Sequence, residues 1–354
     1  MNKVAIFHLY DRQSASNRYR FEQYKIYFKS KNISLIIYPF FDNDYLLNKF
    51  NGNRINIFKL ISFYLNRIIQ LIKIRRNSDY KYVIVYAELF PFFPSWLEIY
   101  FLPKFFGYDY DDSMFLKYSS YKPNIISKLF KNKINSLIQC SNCVFAGNKY
   151  LYNHARIFNS NVYIIPTVVD TNIFRNLFLE KEKNIFTIGW LGSPSTVKYL
   201  NIITNVLEKL GKNHKIRLIV IGGKAPKINN INVLEYKWSE DTEINYINHF
   251  DIGIMPLYDD EWTKGKCGFK LIQYMACEVP VIASSVGANL DVVPVDCGIL
   301  VNTDKEWEIA FLKFMFEKEH KKNLGINARK WVINNYSTNK YASLFFNIIE
   351  SNFI

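Results

Sequence analysis

Short apolar runs of strand length alternate along the chain with longer stretches in which apolar residues recur every three to four positions. KVAIFHLY (3–10), KYVIVYAE (81–88), NCVFAG (142–147) and VYIIP (162–166) predict strands, while 19–31 and 55–75 predict helices with apolar stripes. The rhythm repeats with NIFTIGW (184–190), IRLIVIGG (216–223), NVLEY (232–236), DIGIMPL (251–257) and VPVIASS (279–285), with helices between. Strands alternating with crossover helices imply parallel sheets, and two such series imply an α/β protein of two Rossmann-like, doubly wound domains in tandem. The boundary falls near 166–183, where the strand pattern stops at Pro166 and the charged run EKEK precedes the next strand. The expected organisation is 1–168, 169–336 and a closing helix in 337–354, its helical pattern running over 339–349. In open parallel sheets ligands sit beyond the carboxyl ends of the strands, so the loops there, facing a cleft between the two sheets, are where chemistry is expected.

With 354 residues, 49% of them hydrophobic and 21% charged, the chain is long enough for two buried cores, and wholesale disorder is excluded. The net charge of +14 changes the picture because it is uneven: residues 1–170 carry +12 and the remainder +2. Such a half suits an anionic partner, whether nucleic acid, lipid headgroups or a phosphorylated substrate. No nucleic-acid-reading motif accompanies the charge, so nucleic acid is not expected as a partner. Five cysteines, Cys140, Cys143, Cys267, Cys277 and Cys297, and no signal-peptide pattern point to reduced thiols in the cytoplasm. The single CSNC pair reads as two small buried residues rather than a metal or redox site. The most apolar stretch, 89–106, is interrupted by Pro91, Pro94, Glu98, Pro103 and Lys104; it does not read as a membrane span but could lie on a membrane surface.

Three constellations carry candidate chemistry. The first is TIGWLGSPSTVKYL (187–200), where a strand runs into Gly189 and Gly192, and Ser193 and Pro194 look like an N-cap and first helical position. Backbone N–H groups there, with Lys198 and the polar Ser195 and Thr196, would form an anion site; the alternative is a plain strand-to-helix turn. The second is the segment 251–293. A buried strand leads to Asp259, Asp260, Glu261, Trp262 and Thr263, then to Gly265-Lys266-Cys267-Gly268-Phe269-Lys270 and a helix through LIQYMA. Glycines allow close backbone approach, two lysines bracket the turn, and Gln273 lies one helical turn after Lys270 on the same face, a grouping suited to a diphosphate. The bland alternative makes both lysines solvated surface charges. The third is 11–20, where Arg18 and Arg20 follow Ser14, Ala15 and Ser16 and could receive an anionic acceptor or donor phosphates; the alternative is a solvated helix start.

Glu88, Asp109, Asp111 and Asp112 also fall just past strands. In 118–138, Ile126, Leu129, Phe130, Ile134, Leu137 and Ile138 fit one helical stripe flanked by Lys122, Lys128, Lys131 and Lys133, a core face with a solvated rim. Together with the basic N-terminal half and the aromatics of 89–106, it suggests peripheral docking on an anionic membrane.

The second constellation resembles the donor-binding segment of retaining group-one (family four) glycosyltransferases, which have the GT-B fold of two facing Rossmann-like domains with a C-terminal helix crossing back. The resemblance extends to SASNRYRFEQYKIYF, YAELFPFFP, YDYDDSMF and IIPTVVDTNIF, and is similar to the branch acting in bacterial surface-polysaccharide biosynthesis, lipopolysaccharide or capsule. It implies an N-terminal acceptor-binding and a C-terminal donor-binding domain. It implies transfer from a nucleotide diphosphate sugar to a saccharide, lipid-linked acceptor at the inner face of the plasma membrane, without cofactor or metal. Carried onto this chain, it gives Lys266, Lys270 and Lys198 as the cations facing the leaving diphosphate. Gly189, Gly192, Ser193, Glu261, Gly268, Phe269 and Gln273 fall on the donor side, and Ser16, Arg18, Arg20, Glu88 and Asp112 on the acceptor side. The family signature of a Glu, seven residues and a second Glu is here Gly265 and Gln273, and Trp190 stands where an Arg is common. Gln273 can still hydrogen-bond a ribose, and Asp260 or Glu261 could replace the missing contact to the sugar. DYD (109–111) resembles the metal-binding triplet of another glycosyltransferase fold, but DND (42–44) matches equally well. A catalytically silent nucleotide-sugar or glycan binding protein is the alternative that Gly265 and Gln273 favour.

Overall fold

The computed structural model describes all residues except 51–55, 120–123, 183 and 354, and among these it contains two six-stranded sheets, every strand pair parallel. The chain divides into two compact units, Met1–Val168 with Gly265–Cys267 and Thr338–Ile354, and Val169–Lys264 with Gly268–Ser337.

In the first unit the strands are β1 (Asn2–Tyr10), β2 (Ile33–Phe41), β3 (Tyr80–Tyr86), β4 (Gly107–Tyr110), β5 (Cys143–Ala146) and β6 (Val162–Ile164), ordered β2-β1-β3-β4-β5-β6. The middle of β1 (Val4–Phe7), most of β3 (Tyr82–Tyr86) and the whole of β5 are buried apolar runs because both faces of a parallel sheet are covered. The helix Thr338–Phe353 belongs to this unit: Phe345 packs edge-on to Phe28 and Phe145, and Thr338 donates a hydrogen bond to the Gln23 carboxamide. The strand order reverses between β1 and β3, which places the carboxyl ends of those two strands at the switch point of the sheet.

The second unit contains β7 (Phe186–Leu191), β8 (Ile216–Ile221), β9 (Asn232–Tyr236), β10 (Ile252–Met255), β11 (Val281–Ser284) and β12 (Gly298–Val301), ordered β12-β11-β10-β7-β8-β9. Its switch point lies between β7 and β10. Ile188, Leu218, Ile254 and Ile282 from the sheet form one core with Leu207, Phe311 and Phe314 from the helices.

Three expectations about elements need correcting. The stretch 19–31 is not one helix: Ala15–Arg20 ends at Phe21, a 3-10 turn follows at Glu22–Tyr24, and a second helix runs Lys25–Ser30. The break lets Asn17 to Phe21 all be buried, which no continuous surface helix allows. The helix expected over 55–75 spans Ile57–Arg76, capped by the Asn56 side chain; Ile55 lies outside the described residues. The stretch 118–138 holds two helices, Asn124–Phe130 and Lys133–Cys140, so the single stripe fails: Phe130, Ile134, Leu137 and Ile138 are buried while Leu129 is exposed. Lys122 lies outside the described residues, and Lys133, expected on a solvated rim, is buried. Of the CSNC pair only Cys143 is buried; Cys140 is exposed.

Candidate functional site

In the second unit, β7 ends at Leu191 and the chain turns at Gly192, beside the switch point. The Lys270 ammonium stands 4.2 Å from the ring centroid of the buried Trp190, a cation–π contact. Gly192 makes room for it, since a Cβ there would lie 2.7 Å from Lys270 Nζ and 2.5 Å from the Trp190 ring. Lys270 is the second residue of the helix Phe269–Ala276, whose N-cap, Gly268, adopts the left-handed conformation (φ 65°) that an L side chain resists. Phe269 opens the helix and Gln273 lies buried one turn on. The Lys270 ammonium therefore stands beside Gly192, at the carboxyl edge of the second sheet, and is carried by the first turn of a helix, the end with positive potential.

Several residues expected on the donor side are otherwise engaged. Gly189 sits within β7, where the Phe250 ring fills the space a Cβ would need, so its role is in packing. Ser193 caps no α-helix. Its N–H donates to Thr196 Oγ1 (3.2 Å) in a turn, and a 3-10 segment, Val197–Ile203, follows. The Gly192 N–H donates to the Ile221 carbonyl (3.0 Å), so neither amide is open to an anion. Asp260 accepts from the Thr263 N–H (2.7 Å), holding the turn at the start of the short helix Glu261–Lys264, and the exposed Glu261 pairs with Lys264. Lys198 is exposed, its amine over the Tyr199 ring at 5.4 Å.

In the first unit most residues expected on the acceptor side are engaged within the fold. Arg20 is buried and forms a bidentate pair with Asp109 (2.6 and 2.7 Å), with further bonds to the Ile165 carbonyl and Thr167 Oγ1. Its donors are committed within the fold. The Arg18 guanidinium turns back to the Arg12 and Gln13 carbonyls (2.8 and 2.9 Å) and braces its own loop. Ser14 caps the helix Ala15–Arg20 and lies 3.3 Å from the Ser16 hydroxyl. Glu88 is buried against Lys117, Tyr118 (2.7 Å) and Lys133 (2.9 Å), and those cations hold its carboxyl below the usual range despite burial. The Lys133 ammonium also meets the buried Glu98 at 2.8 Å, and burial pushes that carboxyl up to about 7.

Gly265–Cys267 is fastened in this unit. Asn148 donates to the carbonyls of Gly265 (3.0 Å) and Lys266 (3.1 Å), and the Cys267 thiol donates to the Asp111 carbonyl (3.2 Å). The Ser113 hydroxyl occupies the position a Cβ on residue 265 would take. Lys266 lies 3.4 Å from Asp112, so these two candidates form an ion pair.

His8 is a further candidate that no sequence motif marks. It is buried near the end of β1, at the first sheet's switch point, stacked on Tyr86 at 4.3 Å, and burial pushes its pKa down to about 3. Its Nδ1 lies 2.7 Å from the Tyr10 carbonyl, and its Nε2 has no hydrogen-bond partner among the described residues. A histidine at the carboxyl end of a first strand was the available signal.

Residues 182–314 match the model of a family described as glycosyl transferases group 1. No curated protein matches the chain. Among solved structures, the chain is similar to sucrose-phosphate synthase from Thermosynechococcus elongatus, with a TM-score of 0.71, 14% identity and 99% of both chains covered. A glycosyltransferase from Rickettsia africae ESF-5 gives a TM-score of 0.70 at 17% identity, covering 99% of this chain and 98% of that one. Anabaena Alr3699/HepE in complex with UDP-glucose gives 0.70 at 11%, covering 99% and 100%. At these identities the likeness is one of fold: two Rossmann-like α/β units of the GT-B type, the second carrying the group 1 match.

Proposed function

We propose that the chain is a retaining glycosyltransferase that moves a sugar from a nucleotide diphosphate sugar to a lipid-linked saccharide acceptor, in surface-polysaccharide biosynthesis at the inner face of the plasma membrane. The observation that carries this reading is Lys270, held over Trp190 beside Gly192 at the start of a helix and at the second sheet's switch point. Departure of a nucleoside diphosphate develops negative charge on its β-phosphate oxygen, and a preplaced ammonium with a helix N-terminus stabilises that charge without a metal ion. Gln273 would meet the ribose. The acceptor hydroxyl attacks on the face from which the diphosphate leaves, so the anomeric configuration is kept. The group 1 match over 182–314 and the UDP-glucose complex of the Anabaena structure support a nucleotide-sugar donor. The basic N-terminal half supports an acceptor borne by an anionic membrane.

The test is transfer from a panel of UDP-, GDP- and ADP-sugars to a bacterial lipid extract, with the product anomer read by NMR. A product with the donor's configuration supports the reading, and an inverted product overturns the retaining mechanism. The second reading, a nucleotide-sugar binding protein that does not transfer, is favoured by Gly265, whose space for a side chain is filled by Ser113. Donor binding with neither transfer nor hydrolysis across the panel would select it.

A further inference from the structure

The helix Ile57–Arg76 has two apolar faces. Phe63, Leu71 and Ile74 are buried, while Phe58, Ile61, Leu65, Ile69 and Ile72 stand exposed on the opposite side, Phe58 by 77%. Their spacing of 3, 4, 4 and 3 residues puts them in one stripe, a pattern that normally marks a covered surface. The helix carries five basic residues and no acidic one. Arg67 is buried and Lys59 pairs with Asp42, whereas Lys73, Arg75 and Arg76 are exposed and cluster at the C-terminal end.

A second segment with exposed aromatics lies beside this helix. Tyr64 donates a hydrogen bond to the Pro91 carbonyl (2.6 Å), and Arg75 donates to the carbonyls of Tyr100 (3.0 Å) and Leu102 (2.8 Å), so the chain from 91 to 102 runs beside this helix. In the helix Ser95–Phe101 of that segment Trp96 and Tyr100 are 67% and 70% exposed and its one acid, Glu98, is buried, and Lys104 just after it is exposed. Exposed aromatics, an aliphatic stripe and uncompensated positive charge fit one kind of partner, an anionic bilayer. Net positive charge beside an aliphatic stripe and exposed aromatics is the pattern of a helix lying at the headgroup boundary of an anionic bilayer. Among the described residues no helix is long and apolar enough to cross a membrane.

We propose that the outward face of the helix Ile57–Arg76, with Trp96 and Tyr100 beside it, docks the protein on an anionic membrane surface, the helix lying along the headgroup plane. This deepens the membrane part of the function proposed above and rests on it, but not on the transfer chemistry. It also relocates the docking surface: the face is built mainly by a helix earlier in the chain than the 118–138 stretch.

The experiment is sedimentation of the full chain with vesicles of phosphatidylcholine alone or mixed with phosphatidylglycerol, over a range of salt. Wild type binds the mixed vesicles and releases as salt rises. Leu65→Asp with Ile69→Asp loses at least about tenfold in binding, and Lys73→Gln with Arg76→Gln binds more weakly with a shallower salt dependence. Both pairs are exposed, and both variants should keep the wild-type unfolding temperature and nucleotide-induced shift. Should the aspartates unfold the protein, Leu65→Ser with Ile69→Ser replaces them. Wild type that ignores the mixed vesicles, or a Leu65/Ile69 variant that binds as well as wild type, overturns the proposal. A wild-type dimer in solution that the variant makes monomeric also overturns it, because the face is then an interface between copies. Vesicle binding without any nucleotide shift would instead overturn the donor reading and leave the docking surface standing.

Discussion

The Lys270 ammonium stands 4.2 Å from the centre of the Trp190 ring, with Gly192 leaving the space that this requires. A cation held on an aromatic face adds positive potential at a fixed place, where the charge developing on a departing diphosphate would be stabilised. Replacing Lys270 by Ala should lower turnover by about two to three orders of magnitude, the cost of removing one preorganised charge stabiliser, with little change in unfolding temperature. A Lys270→Ala protein with wild-type turnover would remove the assignment.

Gly192→Ala tests the same geometry from the other side. Its methyl group would meet Lys270 Nζ at 2.7 Å and the Trp190 ring at 2.5 Å, so the amine must move. Nucleotide affinity should drop while the sheet persists, which titration calorimetry and circular dichroism would show together.

Gly265→Glu, which supplies the first acid of the signature that the sequence resembles, should not improve activity. The position of its Cβ is filled by the Ser113 hydroxyl, with the Ser113 nitrogen at 2.6 Å, and Gly265–Cys267 is tied by Asn148 and Cys267. Overpacking of this kind costs about 1–3 kcal/mol, and pairing the change with Ser113→Gly should recover part of it in denaturant melts. Higher transfer activity in the single variant would contradict this placement.

Arg20→Ala should unfold the protein rather than weaken acceptor binding. Its loss leaves Asp109 buried and unpaired, a cost of about 3–5 kcal/mol. A variant of normal stability and raised acceptor KM would return Arg20 to the acceptor site.

Glu98 gives a pH signature. Its folded pKa of about 7 lies above its ordinary value of 4.5, so between the two the folded state binds more protons than the unfolded one. Stability from this group is therefore present below about 4.5 and is lost as pH rises through 7. His8, pushed down to about 3, works in the opposite sense: it lowers stability as pH falls below 6.5. The difference between wild type and Glu98→Gln isolates the first effect, and wild type should lose stability relative to the variant on going from pH 5 to 8.

Strands buried on both faces were legible because their apolar runs are continuous, as in β1, β3 and β8. The reading omitted β2, which contains Pro39, a residue tolerated because β2 is an edge strand, and the four-residue β4 and β12. Gly268 and Lys270 could be found because glycine and lysine in that spacing mark a turn into a helix. Arg20, Glu88 and Lys133 could not be read correctly, because what decides a buried charge is its partner. Asp109 lies 89 residues from Arg20, and Lys133 45 from Glu88.

A nucleoside diphosphate site built on Lys270 would show in thermal unfolding with UDP, GDP, ADP and CMP, each with and without EDTA, on wild type and Lys270→Ala. At 100 times its dissociation constant a ligand adds about 2.7 kcal/mol, several degrees for domains of this size. One diphosphate should raise the unfolding temperature of wild type, EDTA should leave the shift intact, and Lys270→Ala should abolish most of it. No shift with any nucleotide, or an equal shift in the variant, would contradict such a site.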